Sequence, residues 1–366
     1  MAYTTIDDPE AYFQAKVYAG SEGTDTISLD SDVMQPDMIW IKDRGTTAGH
    51  TLQDAVRGFN VANKLATYST VGENDSEGAT WENYGGVSAV AESSFTVVEG
   101  ANTPSQVNDG SDNYVAWCWK AGAGSGSSNE DGSINTTSTS VSTTAGFSIS
   151  TYTGTGSNAT VGHGLGVAPK VVIVKQRDAT QNWQVWHGAI PSMSSGYITL
   201  NNVDGYYSNF TPWNGDTTST TFAIGTNANC NANTKTYIAY CFAEKQGFFT
   251  AVIYSGNGTI ADNGGAYIYT GFRPAFIMTK LSSADGEGWV IRDNKRNTSN
   301  VVSKHLRADG NAVESTASGI YADFYSQGFK IRGTDAAINT SGASYCYMAF
   351  AEAPFVNSKG VPCNAR

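Results

Sequence analysis

Short runs of alternating apolar and polar residues recur along most of the chain, and turn-forming residues separate them. In the run 114–119, Trp117 and Trp119 fall on one face and Cys118 on the other, as the two-residue period of a β-strand requires. Asn-Gly and Asp-Gly pairs such as Asn257-Gly258 and Asp309-Gly310 lie between such runs and are typical of tight turns. Helical periodicity is confined to residues 51–65. The pattern predicts an all-β protein.

The same series of apolar runs occurs three times. Each copy opens with an apolar-aromatic run that ends in glycine, at 15–20, 149–154 and 251–256. A proline strand follows, at 36–42, 169–175 and 274–280, and its lysine (Lys42, Lys175 or Lys280) lies six residues after the proline. Two further strands close each copy, the last at 114–119, 237–242 and 345–350. Variable loops between matching strands indicate duplicated modules of about 100 residues.

We therefore predict three tandem β-sandwich modules of jelly-roll or lectin-like type. Module 1 covers 1–121, module 2 covers 146–246, module 3 covers 247–353, and 354–366 form a polar C-terminal tail. Residues 122–145 are rich in Gly, Ser and Thr, which predicts a flexible linker. Modules 2 and 3 meet at a short junction and are expected to pack as a rigid pair.

Composition and charge exclude several classes of function. With 22 basic and 33 acidic residues the net charge is −11, which argues against nucleic acid as a partner. No run of eighteen apolar residues is present, so membrane insertion is not expected. The N-terminus carries no secretory signal pattern. The five cysteines and four histidines form no metal-binding motif, so no metal or cofactor is expected.

The first copy resembles a repeat found in structural proteins of marine tailed bacteriophages. The resemblance is carried by residues 40–44 (WIKDR), 54–58 (DAVRG) and 114–119 (YVAWCW), and by the C-terminal stretches 348–355 and 364–366. Copies two and three lack the D-x-V-R-G turn. The resemblance implies a non-enzymatic virion protein of the tail or its fibres, assembled in the host cytoplasm, with other virion proteins as partners.

Candidate sites are few. Copy two holds the densest aromatic cluster, whose members alternate with Asn and Asp: Trp183, Trp186, Tyr206, Tyr207, Phe210 and Trp213. Aromatic faces beside polar side chains are typical of carbohydrate sites, but packing in the core explains many of the same residues. Trp183, Trp186, Tyr206, Tyr207 and Trp213 are the candidate carbohydrate-binding residues.

Acidic residues offer a weaker alternative. Asp30/Asp32 and Glu73/Asp75/Glu77 could supply the carboxylate pair of a glycosidase, although the loops of an acidic protein generate such pairs freely. Calcium at 30–32 or 109–112 competes with simple solvated turns. The recurring lysines are expected to end buried strands, with each ammonium group reaching solvent or a carboxylate.

These observations favour a structural protein that displays loops for attachment to a host-surface glycan, as a homo-oligomer. A capsid-surface decoration protein is the first alternative, and a tail-associated glycan depolymerase is the second. Repetition favours multivalent attachment, because linked weak sites bind with higher avidity than one site.

Overall fold

β-Strands joined by turns make up most of the computed structural model, which describes residues 3–73, 81–208, 211–260 and 264–363. The α-helices in this part of the chain have four residues each, α1 (Ala228–Asn231) and α2 (Ala336–Asn339). Three 3-10 turns lie at Pro9–Ala11, Trp81–Tyr84 and Met193–Ser195. All named strand pairs are antiparallel, and the sheets pack face to face. The predicted all-β sandwich fold is confirmed.

The first pair of sheets is formed by residues 13–119. The larger sheet has the strand order β1-β7-β3-β4 and the smaller sheet β2-β6-β5. The strands are β1 (Phe13–Ala19), β2 (Thr24–Ser28), β3 (Met38–Asp43), β4 (Thr51–Asp54), β5 (Gly86–Ala91), β6 (Ser94–Val98) and β7 (Asn113–Trp119).

The second pair contains a seven-stranded sheet and a two-stranded sheet. Their strand orders are β14-β13-β12-β11-β16-β9-β8 and β10-β15. The strands are β8 (Ser138–Ser142), β9 (Phe147–Thr153), β10 (Ala159–Gly162), β11 (Val171–Gln176), β12 (Gln184–His187), β13 (Gly196–Thr199), β14 (Tyr207–Ser208), β15 (Thr221–Ile224) and β16 (Thr236–Phe242).

The third pair contains a five-stranded sheet and a three-stranded sheet. Their strand orders are β17-β24-β19-β20-β21 and β18-β23-β22. The strands are β17 (Phe249–Ser255), β18 (Tyr267–Tyr269), β19 (Phe272–Leu281), β20 (Val290–Asp293), β21 (Leu306–Arg307), β22 (Ala322–Tyr325), β23 (Gly328–Ile331) and β24 (Ser344–Pro354).

An aromatic cluster of the same geometry joins the two sheets of each pair. In the first pair, Tyr18 stacks on Tyr114 with ring centroids 5.2 Å apart and meets the edge of Phe95 at 6.1 Å. The corresponding distances are 5.1 and 6.3 Å in the second pair and 5.0 and 6.2 Å in the third. Such offset and edge contacts are the arrangements that aromatic rings prefer. They explain why tyrosine and phenylalanine recur at fixed places in the sequence.

The recurring glycine after the opening strand permits close backbone contact. A Cβ atom on Gly20, Gly154 or Gly256 would lie 1.8, 2.3 or 2.3 Å from a backbone oxygen of the loop before the closing strand. The next residue in each copy donates its backbone N–H to a buried asparagine, such as Asn231 at 2.8 Å. That asparagine lies six residues before the closing tyrosine in all three copies.

The three sheet pairs form a closed ring. An aromatic ring at the start of the β4, β12 or β20 region donates a hydrogen bond to a carbonyl of a neighbouring pair in each case. Trp183 Nε1 donates to Ala66 O (3.0 Å), and Trp289 Nε1 donates to Thr199 O (2.7 Å). The Nδ1 atom of His50 accepts a hydrogen bond from Trp40, so its Nε2 atom carries the proton. This Nε2 donates to Arg307 O at 2.9 Å and thereby links the first sheet pair to the third.

The ends of the three closing strands meet inside the closed arrangement of the three sheet pairs. The ring centroids of Trp119, Phe242 and Phe350 lie 5.7 to 6.5 Å apart, so each ring contacts the other two. One hydrophobic core extends from Ile6 to Ala351 through all three pairs. The number of modules and the boundaries proposed from the repeat therefore stay a prediction, although three sheet pairs of matching design follow one another along the chain.

Two of the junctions also carry buried ion pairs. Arg57 binds Asp54 at 2.6 Å and Glu73 at 3.2 Å, and Glu73 reaches Arg177 of the second pair at 2.7 Å. In the third pair, Arg296 likewise binds Asp293 at 2.6 Å and Glu314 at 3.3 Å, and Glu314 reaches Arg44 of the first pair at 2.8 Å. The D-x-V-R-G turn of copy one and the sequence 293–296 of copy three thus have the same structural role.

The segment 122–145 differs from the predicted flexible linker. The carboxylate of Asp37 accepts backbone N–H groups of Ala121, Ala123 and Gly124 at 2.7 to 3.0 Å. Further along, β8 pairs antiparallel with β9. Small hydroxyl residues suit a strand lying against a neighbour as well as they suit a linker, so composition alone gave the wrong expectation. The tail also has fixed contacts, because Ser358 N donates to Asp7 at 2.6 Å.

The recurring lysines are fully buried, which corrects the expected contact with solvent or a carboxylate. Lys175 Nζ donates to the backbone oxygens of Thr70 (3.1 Å) and Gln176 (2.7 Å). Lys42 donates to the carbonyls of Asp43 and Thr46, and Lys280 to those of Val203 and Glu287. Burial lowers the pKa of Lys175 to about 7 and that of Lys42 to about 8. These lysines bind backbone carbonyls at strand ends and in loops, and two of them, Lys175 and Lys280, do so across a junction.

Candidate functional site

Three of the five predicted carbohydrate-binding residues lie in the core. Trp183 and Trp213 are almost fully buried, and Trp186 is buried as well. Trp183 and Trp186 flank or belong to β12, whose faces are covered on both sides, and Trp183 faces the first sheet pair through its bond to Ala66. These three indoles cannot contact a sugar, so the prediction is wrong for them. Phe210 of the same cluster lies outside the described residues.

The other two predicted residues are at the surface. Tyr207 is exposed and stacks on Tyr197 with ring centroids 5.8 Å apart. Its hydroxyl donates to Asp285 at 2.8 Å, and this bond raises its pKa to about 12. Tyr206 is half-buried and donates to Ser192 O at 2.7 Å. Both rings lie at the junction with the third sheet pair, where their hydroxyl groups already have protein partners.

Two of the acidic candidates, Asp30 and Glu73, serve as ion-pair partners. Asp30 binds Lys16 at 2.6 Å and Lys295 at 2.9 Å, and Glu73 bridges Arg57 and Arg177. Asp75 and Glu77 lie outside the described residues. Over the four described ranges, no cluster of three or more His, Cys, Asp or Glu residues could hold a metal ion. Likewise, no helix there is long and apolar enough to cross a membrane.

An exposed tyrosine surface lies on the outer face of the third small sheet. Tyr267 and Tyr269 on β18 are 51% and 59% exposed, and Tyr325 on β22 is 40% exposed. Ile268 between the first two points inward, as the strand period requires. The rings of Tyr267 and Tyr325 are 6.1 Å apart. We call Tyr267, Tyr269 and Tyr325 the tyrosine face.

A glycine lies between the rings of this face. Gly328 on β23 pairs with both Tyr269 and Tyr325. A Cβ atom on Gly328 would lie 2.0 Å from Ile268 O, so the backbones approach closely here. Polar groups border the face: Asp323 accepts from Tyr325 at 3.2 Å and from Arg332 at 2.6 Å. The result is an apolar surface with charged and hydroxyl groups at its border.

The other two sheet pairs provide an internal comparison. The inward residues Ile27, Val161 and Ile268 hold equivalent places, because each pairs with the recurring phenylalanine of the next strand. The flanking outward positions hold Thr and Ser in the first pair, Thr and Gly in the second, and tyrosines in the third. Since the fold forms twice without these tyrosines, stability of the small sheet does not require them.

A cleft of about 340 Å³ adjoins the tyrosine face. Its lining includes Tyr269, Tyr3, Glu244, Lys245 and Thr250. Tyr3 donates to Gly271 O at 2.6 Å, and its hydroxyl oxygen lies 3.5 Å from that of Tyr269. The volume falls in the range of small-molecule sites. The cleft therefore places one side of Tyr269 against polar groups of both the second and the third sheet pair.

The pKa values of Tyr3, Tyr267 and Tyr325 lie above the ordinary value for tyrosine, so these three hydroxyl groups remain protonated at neutral pH. Burial raises the pKa of Tyr3, and its hydrogen bond with Tyr269 adds to the effect. Burial also raises the pKa of Tyr267, with a smaller effect of the neighbouring tyrosines, and that of Tyr325, with a smaller effect of Asp323. Each hydroxyl can therefore act as a hydrogen-bond donor beside an apolar ring.

One family model covers all three sheet pairs. It matches residues 8–354 and is described as a domain of unknown function (DUF7483). The chain belongs to this family. A comparison with curated proteins found no match. The family model spans all three sheet pairs but assigns no activity to them.

Sequence reasoning missed the tyrosine face because it ranked segments by the number of aromatic residues. The alternation Tyr267-Ile268-Tyr269 predicts a strand with both tyrosine rings on one face. Alignment of the three copies provides the missing signal, since Thr26 and Thr160 stand where Tyr267 stands. A position that turns aromatic in one copy, on an outward face, indicates a role other than packing.

Proposed function

We propose that this chain is a non-enzymatic structural protein of a phage particle that attaches to glycans through its tyrosine face. The observation that carries the proposal is the exposure of Tyr267, Tyr269 and Tyr325 on a rigid sheet. The other two sheet pairs have small residues in place of Tyr267 and Tyr269. The resemblance to tail and fibre repeats supports the placement in a virion.

The chemistry of the surface fits a saccharide. The C–H face of a pyranose packs on an aromatic ring, and its hydroxyl groups need donors and acceptors at the border of that ring. Arg332, which is partly exposed and held by Asp323, and the exposed cleft residue Glu244 supply such groups. Little conformational entropy is lost on binding, because β18 is fixed by its pairing with β23.

The ring of junctions supports the same role. Contacts at all three junctions hold the sheet pairs in one arrangement, so the tyrosine face keeps a fixed direction relative to the rest of the chain. A shallow site of this kind binds weakly by itself. Display of many copies on one particle converts such binding into firm attachment.

Inhibition of adsorption tests the proposal. Purified protein added in excess should block adsorption of the particle to its bacterial host, and a Tyr267→Thr, Tyr269→Ser double variant should not. The replacements are the residues that the first sheet pair uses at these positions. Tyr207→Ser is the matched control and should block like the unchanged protein.

Two outcomes would contradict the proposal. If the double variant blocks adsorption fully, the tyrosine face takes no part in attachment. If only Tyr207→Ser loses blocking, the attachment site lies on the second sheet pair. Immunogold labelling of particles should place the protein on the tail. Labelling of the head would support a decoration role in place of attachment.

A further inference from the structure

The opening strand of each sheet pair lies at a corresponding position. Strands β1, β9 and β17 each pair along their inner side with the closing strand of their own copy. The outer side of such a strand presents unpaired backbone N–H and C=O groups unless something covers it. The chain treats this outer side differently in its three copies.

In the first copy, charge protects the edge. Lys16 lies in the middle of β1 and binds Asp30 at 2.6 Å. Gln14 Oε1 also accepts the backbone N–H of Asp30 at 2.8 Å, which brings this loop against the strand. A charged residue on an edge strand is a common means of preventing pairing with another chain.

In the second copy, an added strand covers the edge. Strand β8 pairs antiparallel with β9 over five residues, from Ser138 opposite Thr151 to Ser142 opposite Phe147. No named strand of the other two copies corresponds to β8 within the described residues. The chain thus shows that this edge accepts an antiparallel partner strand.

In the third copy, the edge is apolar and open. Strand β17 has the sequence Phe-Thr-Ala-Val-Ile-Tyr-Ser, without charge or proline. Val252 and Ile253 at its centre are 40% and 38% exposed. No strand of the described ranges pairs with its outer side, since β17 ends the five-stranded sheet. Phe249 at its start already exchanges backbone hydrogen bonds with Lys245 at 2.9 and 3.0 Å. The rest of the strand, with Thr250, Val252 and Ile253, is an uncharged edge of the kind that pairs with another strand.

We propose that β17 pairs antiparallel with β17 of a second copy of this chain. Two identical strands related by a two-fold axis are antiparallel by necessity, so the edge is complementary to itself. The absence of charge from 249–255 permits this contact despite a net charge of −11 per chain. The pairing joins two five-stranded sheets into one and brings Val252 and Ile253 of both copies together at its centre.

The dimer also duplicates the proposed attachment surface. The cleft contains Phe249 and Thr250 of β17 together with Tyr269 of the tyrosine face, so the edge and the face adjoin. Two copies would present two tyrosine faces on one rigid body, which raises avidity. This consequence rests on the proposed function, whereas the dimer itself does not and is measured without any glycan.

Sedimentation velocity of the full chain tests the dimer. Between about 1 and about 100 µM, the range in which weak complexes form, the mass should rise toward twice 38.7 kDa. Ile253→Lys should weaken the dimer at least about tenfold, because like charges would face each other across the two-fold axis. Val313→Lys adds the same charge at an exposed site outside the strands and should leave the dimer unchanged.

Disulfide trapping gives a second measurement that does not depend on affinity. In a Cys363→Ser background, which removes the exposed thiol, either Val252→Cys or Ile253→Cys should oxidise to a covalent dimer. Residues directly opposite in antiparallel strands come close enough for this bond, and Val313→Cys should not form it. A monomer at all concentrations, or a dimer that Ile253→Lys leaves unchanged and neither cysteine traps, would overturn the proposal.

Discussion

Removal of Glu314 tests whether the junction between the third and first sheet pairs holds the ring closed. Its carboxylate accepts from Arg44 Nε at 2.9 Å and Nη2 at 2.8 Å, and from the buried Arg296 at 3.3 Å. In the Glu314→Ala variant, Arg296 keeps Asp293 as its partner, whereas Arg44 loses its carboxylate partner. We therefore expect a loss smaller than the 3–5 kcal/mol of a fully buried broken pair, about 2–3 kcal/mol.

The expected shift in melting temperature follows from the size of the chain. At ~2.1 cal/mol/K per residue, unfolding of all 366 residues as one unit has an entropy of about 0.8 kcal/mol/K, so the shift is about 3 °C. If the third sheet pair unfolded alone, its entropy would be about a third as large and one transition would shift by about 9 °C. Differential scanning calorimetry distinguishes the two cases.

A matched control separates the junction from ordinary surface charge. Glu287 binds Arg307 at 3.3 Å, and both side chains are about a quarter exposed. Such a pair contributes up to about 1 kcal/mol, so Glu287→Ala should shift the melting temperature by about 1 °C or less. Equal shifts in the two variants would refute the claim that Glu314 ties the sheet pairs together.

Three further outcomes are expected. Gly154→Ala should destabilise the fold by about 1–3 kcal/mol through overpacking, whereas Gly310→Ala, which meets only ordinary contacts, should be nearly neutral in thermal unfolding; equal effects would contradict the close-contact role of Gly154. Although burial raises the pKa of Glu314, the hydrogen bond from Arg44 and the charges of Arg296 and Arg44 hold it below its ordinary value. Its stabilisation is therefore complete above pH ~4.3 and lost as the pH falls through the folded-state pKa; the difference in melting temperature between the wild type and Glu314→Gln should shrink on acidification, and a constant difference would contradict this. Asp37→Ala should speed hydrogen exchange at Ala121, Ala123 and Gly124, whose N–H groups its carboxylate holds; unchanged exchange there would restore the flexible-linker interpretation.

Strand positions could be predicted because they depend on local pattern. The tyrosine that begins each closing strand, such as Tyr237, accepts a backbone N–H at 2.7 Å and donates to a carbonyl nine residues earlier. Both partners lie within a short stretch of chain, so the same bonds form in each copy and leave the same sequence signature. The threefold repetition of this signature therefore allowed the strand positions to be predicted from the sequence alone.

The ring and the burial of the aromatic cluster could not be predicted in this way. His50 and Arg307 are 257 residues apart in the chain, and no local pattern records that they meet. Trp183 and Trp186 stand among polar residues of the sequence such as Asn182 and Gln184, yet neighbouring sheets cover them. The prediction that Lys175 contacts solvent or a carboxylate was wrong for the same reason, since one of its carbonyl partners, Thr70, belongs to another sheet pair.

A titration of the protein against immobilised bacterial surface glycans tests the central claim most directly. The account predicts that at least one glycan binds, that Tyr269→Ser weakens its binding by about tenfold or more, as loss of a binding hot spot does, and that Tyr207→Ser does not. Binding that survives the Tyr267→Thr, Tyr269→Ser double variant at full strength would contradict the account.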